Sequence, residues 1–164
     1  MHTSRVGSAS LLAFIACPTE VKQLLKVAAP PYLYSGPSPV ASLATVLVGL
    51  DVNERRGDAL RASLHSLTAR LLSALVRLDV ATPNRSGLPI VEIPLRDHRR
   101  IDAVGRTLFE RGLYVTLAAY PLVPKDEVGF RIQLTAINTV AEVDSLILAI
   151  EELAAAGELK PRES

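Results

Sequence analysis

Leu60, Leu64, Leu67, Leu71, Leu75 and Leu78 recur at steps of four and three. Residues at that spacing share one side of an α-helix, so "ERRGDALRASLHSLTARLLSALVRL" is predicted as one helix with a continuous apolar stripe. Such a stripe packs either on a core or on a second helix in a coiled coil. Core packing is the reading taken, because the rest of the chain offers a sheet for it to cover.

Upstream, "TEVKQLLKV" offers Thr19 as a capping residue and Val21, Leu24 and Leu25 at helical spacing, a short helix. Pro30, Pro31, Pro37 and Pro39, with Gly36, argue against regular helix in the adjoining stretch. "ASLATVLVGL", from Ala41 to Leu50, is small and apolar all round and reads as a helix buried on every side. Downstream of the leucines, the turn "TPNRSG" leads into "LPIVEIPL", a strand centred on Ile90 to Ile93. Ile101, Val104 and Leu108 mark a further helix, with Gly112 as its stop. "LYVTLAAY" and "GFRIQLTA" are strand-like, separated by "PLVPKDEV". Thr139 and Glu142 stand at capping-box spacing before a helix with Val143, Leu146, Ile147, Ile150 and Leu153 on one side. Beyond Gly157 the polar tail, residues 158–164, is expected to fray. The fold class is therefore α/β, a sheet of about three strands covered by helices after a long N-terminal helix pair.

Several functions are disfavoured by composition. The formal net charge is +1 and tryptophan is absent, so neither a basic field nor an aromatic platform points to nucleic acid. No stretch approaches the ~20 apolar residues of a membrane helix. Arg5, the apolar run from Ala9 to Ala16 and Cys17 imitate a lipoprotein leader. That run is short, however, and the sequence beyond Pro18 already reads as folded chain. A lone cysteine suits a reducing, cytoplasmic setting. The histidines and Cys17 show no metal-ligand spacing. His65 and His98 read as surface residues and His2 is terminal, so no Ser–His–Asp arrangement is offered. The glycines do not form a phosphate-binding loop.

One residue stands out. In "EVGFRIQLTAIN", alternation puts Phe130, Ile132 and Leu134 on one face of the strand and Arg131, Gln133 and Thr135 on the other. An arginine there is either a solvated surface residue or a rigid fork of donors held steady for a carboxylate. Spacing alone leaves both open.

"FIACPTEVKQLLKVAAPPYLYSGPSPVASLATVLVGL" and "GLYVTLAAYPLVPKDEVGFRIQLTAINTVAEVDSLILAIEEL" resemble the C-terminal part of class I/II aminotransferases and α-oxoamine synthases. These are pyridoxal-phosphate (PLP) transferases of the aspartate-aminotransferase fold. The resemblance runs from about Phe14 to Leu153. It implies that Arg131 binds the α-carboxylate of an amino-acid substrate and that the Pro121–Pro124 loop lines the substrate entrance. Ser35, followed by Gly36 and backed by Ser38, would reach the cofactor phosphate of a neighbouring subunit. It also implies a homodimer, and a division into residues 1–37, from the large cofactor domain and interdomain loop, and a small domain over 38–157. Residues 1–13 are set aside as foreign to the fold.

The departures from the family are as informative. The family's Schiff-base lysine is expected near Val6, in "SRVGSAS", and the chain's lysines are Lys22, Lys26, Lys125 and Lys160. The resemblance therefore implies a fragment of a PLP-dependent transferase that is not catalytic alone, whether a truncated product, a misplaced start or one piece of a split enzyme. Its partner would then be a large-domain polypeptide. The competing expectation is a non-catalytic dimerisation or small-molecule-binding regulatory module.

Overall fold

The computed structural model describes residues 2–5 and 13–162. The chain divides into two compact units, Met1–Asp58 and Ala59–Ser164. The family-based boundary at residue 37 is a different division, drawn on the proline-rich stretch.

In the first unit, β1 (His2–Arg5) pairs antiparallel with β2 (Ala13–Ala16). The stretch set aside as foreign thus contains a paired strand, while Val6, the position expected for the lysine, lies outside the described residues. Helix α1 (Thr19–Ala28) begins one residue earlier than the Thr19 cap predicts. Pro18 is its N-cap, and no side chain closes it. Helix α2 (Pro30–Leu33) is a single turn inside the proline-rich stretch. Its two prolines occupy the first helical positions, where the missing N–H has no intrahelical partner to lose.

Helix α3 (Val40–Arg77) is one element of 38 residues where the sequence suggests two. Between its ends stand Gly49 and Gly57 but no proline, and each helical glycine costs only about 1 kcal/mol relative to alanine. The segment expected to be buried on every side is not. Within it Val46 is buried, while Leu43, Leu47, Val48 and Leu50 are exposed. The described part of the first unit offers those side chains no core.

The second unit has one. Strands β3 (Ile90–Pro94), β4 (Thr116–Ala118) and β5 (Gly129–Gln133) form an antiparallel sheet in the order β3-β5-β4. One face carries Val91, Ile93, Phe130 and Ile132, all buried. Against that apolar set stand the leucine stripe of α3, through Leu67, Leu71 and Leu75, with α4 (Ile101–Glu110) and α5 (Val140–Ala155). At about 25 cal/mol per Å², burying each of these side chains stabilises the fold by roughly 1.5–3 kcal/mol. The capping box opens α5 as predicted: Glu142 N donates to the Thr139 hydroxyl, and Thr139 N donates to the Glu142 carboxylate.

The tail is not frayed up to Arg162. Lys160 N donates to Pro94 O, and Arg96 N donates to Glu158 O. Ala81 N donates to Lys160 O and Arg162 N to Asp79 O, tying the tail to the segment between α3 and β3. Leu159 is 4 % exposed within the core. A single apolar residue in a polar tail is enough to anchor it when the backbone on either side finds a strand edge. Arg100 clamps the turn before it through Glu158.

Candidate functional site

The sheet has a second face, away from the helices, and it carries the polar side chains of the alternating strands. Arg131 lies at the centre of it. It is on the middle strand, with Glu92 of β3 directly opposite on one side and Thr116 of β4 on the other. Opposed residues in an antiparallel pair project to the same face with Cβ atoms about 5 Å apart. Glu92 and Thr116 are exposed, and Arg131 is half-buried.

The Arg131 Nε atom is buried and has no hydrogen-bond partner. Leaving a buried donor unmade costs about 1–3 kcal/mol, and more for a charged group. Native interiors seldom carry that cost without a use for it. The guanidinium is not tied to an acid, since no ion pair involves Arg131 among the described residues. What the arrangement can do chemically is bind an anion with a planar fork. A carboxylate is the natural partner, because its two oxygens match two parallel N–H groups.

Beside this pair lies a cleft of about 630 Å³. Glu92 lines it and Arg131 does not. Its floor includes Leu75, Val80, Ile93 and Phe130. Around it stand Arg85, Lys160 and Arg162, balanced by Glu92, Asp126 and Glu127. The entrance to β3 is fixed by Asn84, whose Nδ2 donates to the carbonyls of Leu88 and Ile90, both at 2.7 Å, while Gly87 N donates to its Oδ1. The Pro121–Pro124 loop reaches the cleft through Val123. Next to the loop, Lys125 Nζ lies 5.2 Å from the ring centre of Tyr120.

Close packing fixes the strand separation at this point. A Cβ on Gly129 would lie 2.1 Å from Ile93 O, and one on Gly105 would lie 2.7 Å from Leu117 Cδ1. The first is a backbone obstacle that cannot yield. β5 can therefore approach β3 only because residue 129 has no side chain.

Ser35, Gly36 and Ser38 belong to the other unit. All three are exposed, and a Cβ on Gly36 would meet nothing within 4 Å, so no close approach is built there. Lys22, Lys26 and Lys125 are exposed, and Lys160 is half-buried at the cleft. The described residues do not by themselves form a cradle for a pyridoxal cofactor.

Sequence reasoning alone does not reach Glu92 or the cleft. A signal is present all the same, since "LPIVEIPL" carries one acid in an apolar strand just as "GFRIQL" carries one base.

Residues 5–150 match the family described as Aminotransferase class I and II. The chain is 31 % identical over 157 residues to 8-amino-7-oxononanoate synthase of Anaeromyxobacter dehalogenans (strain 2CP-C), spanning 93 % of this chain and 38 % of that one. It is 28 % identical over 138 residues to the mitochondrial 2-amino-3-ketobutyrate coenzyme A ligase of Bos taurus, spanning 83 % and 32 % respectively. Among solved structures, a serine palmitoyltransferase from S. paucimobilis with a bound PLP–myriocin aldimine superposes with a TM-score of 0.72 at 21 % identity. That match covers 82 % of this chain and 34 % of the other. The 8-amino-7-oxononanoate synthase of Francisella tularensis superposes with a TM-score of 0.72 at 22 % identity, over 88 % and 41 %. The chain thus spans between about a third and two fifths of these proteins.

Proposed function

Because this chain belongs to the aminotransferase class I and II family, we propose that it is the substrate-carboxylate-binding part of a PLP-dependent transferase of the aminotransferase or α-oxoamine synthase kind. Arg131 grips the carboxylate of an amino-acid substrate. The observation that carries this reading is the buried, unpartnered Nε on the middle strand of the sheet. A donor held rigidly by β-strands on both sides and left without an internal acceptor is preorganised for an external one.

Alone, the chain forms no Schiff base with the cofactor, since none of its lysines stands in the family's motif. The exposed Ser35, Gly36 and Ser38 stretch remains open to the phosphate of a cofactor held by another subunit. The setting is cytoplasmic. No helix among the described residues is long and apolar enough to cross a membrane.

The test is a titration of the ¹⁵N-labelled chain with glycine, followed at the backbone amide signals of Thr116 and Ile132, which flank Arg131 and remain in the variant. A saturable shift, lost in Arg131→Gln, is expected. A signal indifferent to glycine removes the carboxylate site. Mixing with PLP should give no borohydride-trappable absorbance band, and a stoichiometric band on one lysine would refute the incompetence of the lone chain.

A second reading, association through the first unit, is favoured by its exposed apolar side chains. Val27 is 72 %, Leu47 68 % and Val48 62 % exposed. Apolar surface of that kind is characteristic of a face that another polypeptide covers, here a second copy or a large-domain chain. Light scattering on the purified chain separates a monomer from a homodimer.

A further inference from the structure

We propose that Glu92 sets the specificity of the carboxylate site, admitting a monocarboxylate with an adjacent ammonium group and rejecting dicarboxylates. The proposal rests on reading Arg131 as the carboxylate-binding residue.

Glu92 and Arg131 are directly opposed on one sheet face. Side chains opposed in this way are generally near enough to pair, yet the two form no ion pair among the described residues. Each charge is therefore presented to whatever binds between and above them. A ligand that places one carboxylate on the Arg131 fork brings its α-substituent within a few ångströms of the Glu92 carboxylate. An ammonium there is attracted, whereas a second carboxylate meets a like charge. Like charges in contact near a protein surface cost of the order of tenfold in affinity or more. Thr116, on the opposite flank, is uncharged and does not counter this bias.

The cleft does not reverse the preference. Its Arg85, Lys160 and Arg162 are balanced by Asp126, Glu127 and Glu92 together, and Glu92 is the acid that borders both the cleft and the arginine. Rejection by a placed repulsive charge is a common way to obtain specificity that attraction alone does not supply.

The full 164-residue chain, ¹⁵N-labelled, is titrated with acetate, glycine and succinate while the backbone amide signals of Thr116 and Ile132 are followed. Glycine should bind tightest and succinate about tenfold more weakly. In Glu92→Gln, which is isosteric and at an exposed position, succinate should gain about tenfold and glycine should weaken severalfold. In Glu92→Lys the order should invert, with succinate tightest. The proposal is overturned if Glu92→Gln changes all three affinities equally, or if wild-type chain binds succinate as well as glycine. Titrations left unchanged by Arg131→Gln have a different meaning: they overturn the carboxylate reading itself, and the role of Glu92 with it.

Discussion

Gly129 sits so close to Ile93 that a β-carbon on it would lie 2.1 Å from the Ile93 carbonyl oxygen. The contact is backbone to backbone, two residues from Arg131 along the same strand. Gly129→Ala is therefore expected to force β5 away from β3, lowering stability by about 1–3 kcal/mol. It should also blunt any carboxylate-induced shift at Arg131. Urea denaturation checks the first effect, and an unchanged midpoint would contradict the close approach.

Arg131→Leu is expected to leave stability unchanged or raise it by about 1 kcal/mol. The substitution removes a buried donor that has no partner, and apolar replacement of such a group is neutral or favourable. Carboxylate binding should vanish at the same time. This opposition of stability and binding separates a ligand-binding arginine from a structural one. A loss of several kcal/mol on replacement would assign Arg131 to the fold instead.

Leu159→Ala should cost about 2–3 kcal/mol, since the side chain is 4 % exposed and the tail has no other large apolar anchor. The wall of the cleft formed by Lys160 and Arg162 should loosen with it. Proteolysis at the C-terminus, resisted by the parent and not by the variant, gives the readout.

Acid should destabilise the second unit between about pH 4.5 and pH 2. Asp97 is lowered from an ordinary 3.8 to about 2 by the side-chain hydrogen bonds of Arg99, with the Arg99 backbone N–H second. Arg111, Arg70 and Arg100 lower Glu152, Asp144 and Glu158 through side-chain hydrogen bonds, and the Thr139 N–H, with Asn138, lowers Glu142. Each carboxyl has a folded value below its unfolded one. Its stabilising contribution is thus full above the unfolded value and is lost as pH falls through the folded one. The melting temperature should rise from pH 2 to about 4.5 and flatten above. Asp97→Asn should shrink the lowest part of that rise. These pairs are exposed, so added salt should flatten the whole profile.

The sheet and its cover are legible because their signals are local. Alternation places Arg131 on the polar face of β5, the 3.6-residue period marks α4 and α5, and Thr139 with Glu142 announces a capping box that is present in both halves. The features that escape depend on partners distant in sequence. The charged run around Gly57 looks like a break between helices, yet α3 continues through it. Leu159 is one apolar residue in a polar tail, and its burial depends on an edge of β3 more than sixty residues earlier. Ala41 to Leu50 reads as interior, although apolar composition reports a need for cover and not its presence. The Glu92–Arg131 opposition needs the register of two strands, which neither strand encodes alone.

The order β3-β5-β4 puts the arginine on the ribbon that has a neighbour along each flank. Margins of a small sheet open first, and its centre opens last. The proposed recognition of an acid by Arg131 would accordingly be coupled to the melting of the whole sheet: heating or denaturant should leave the guanidinium in place until the domain lets go, then release it in one step.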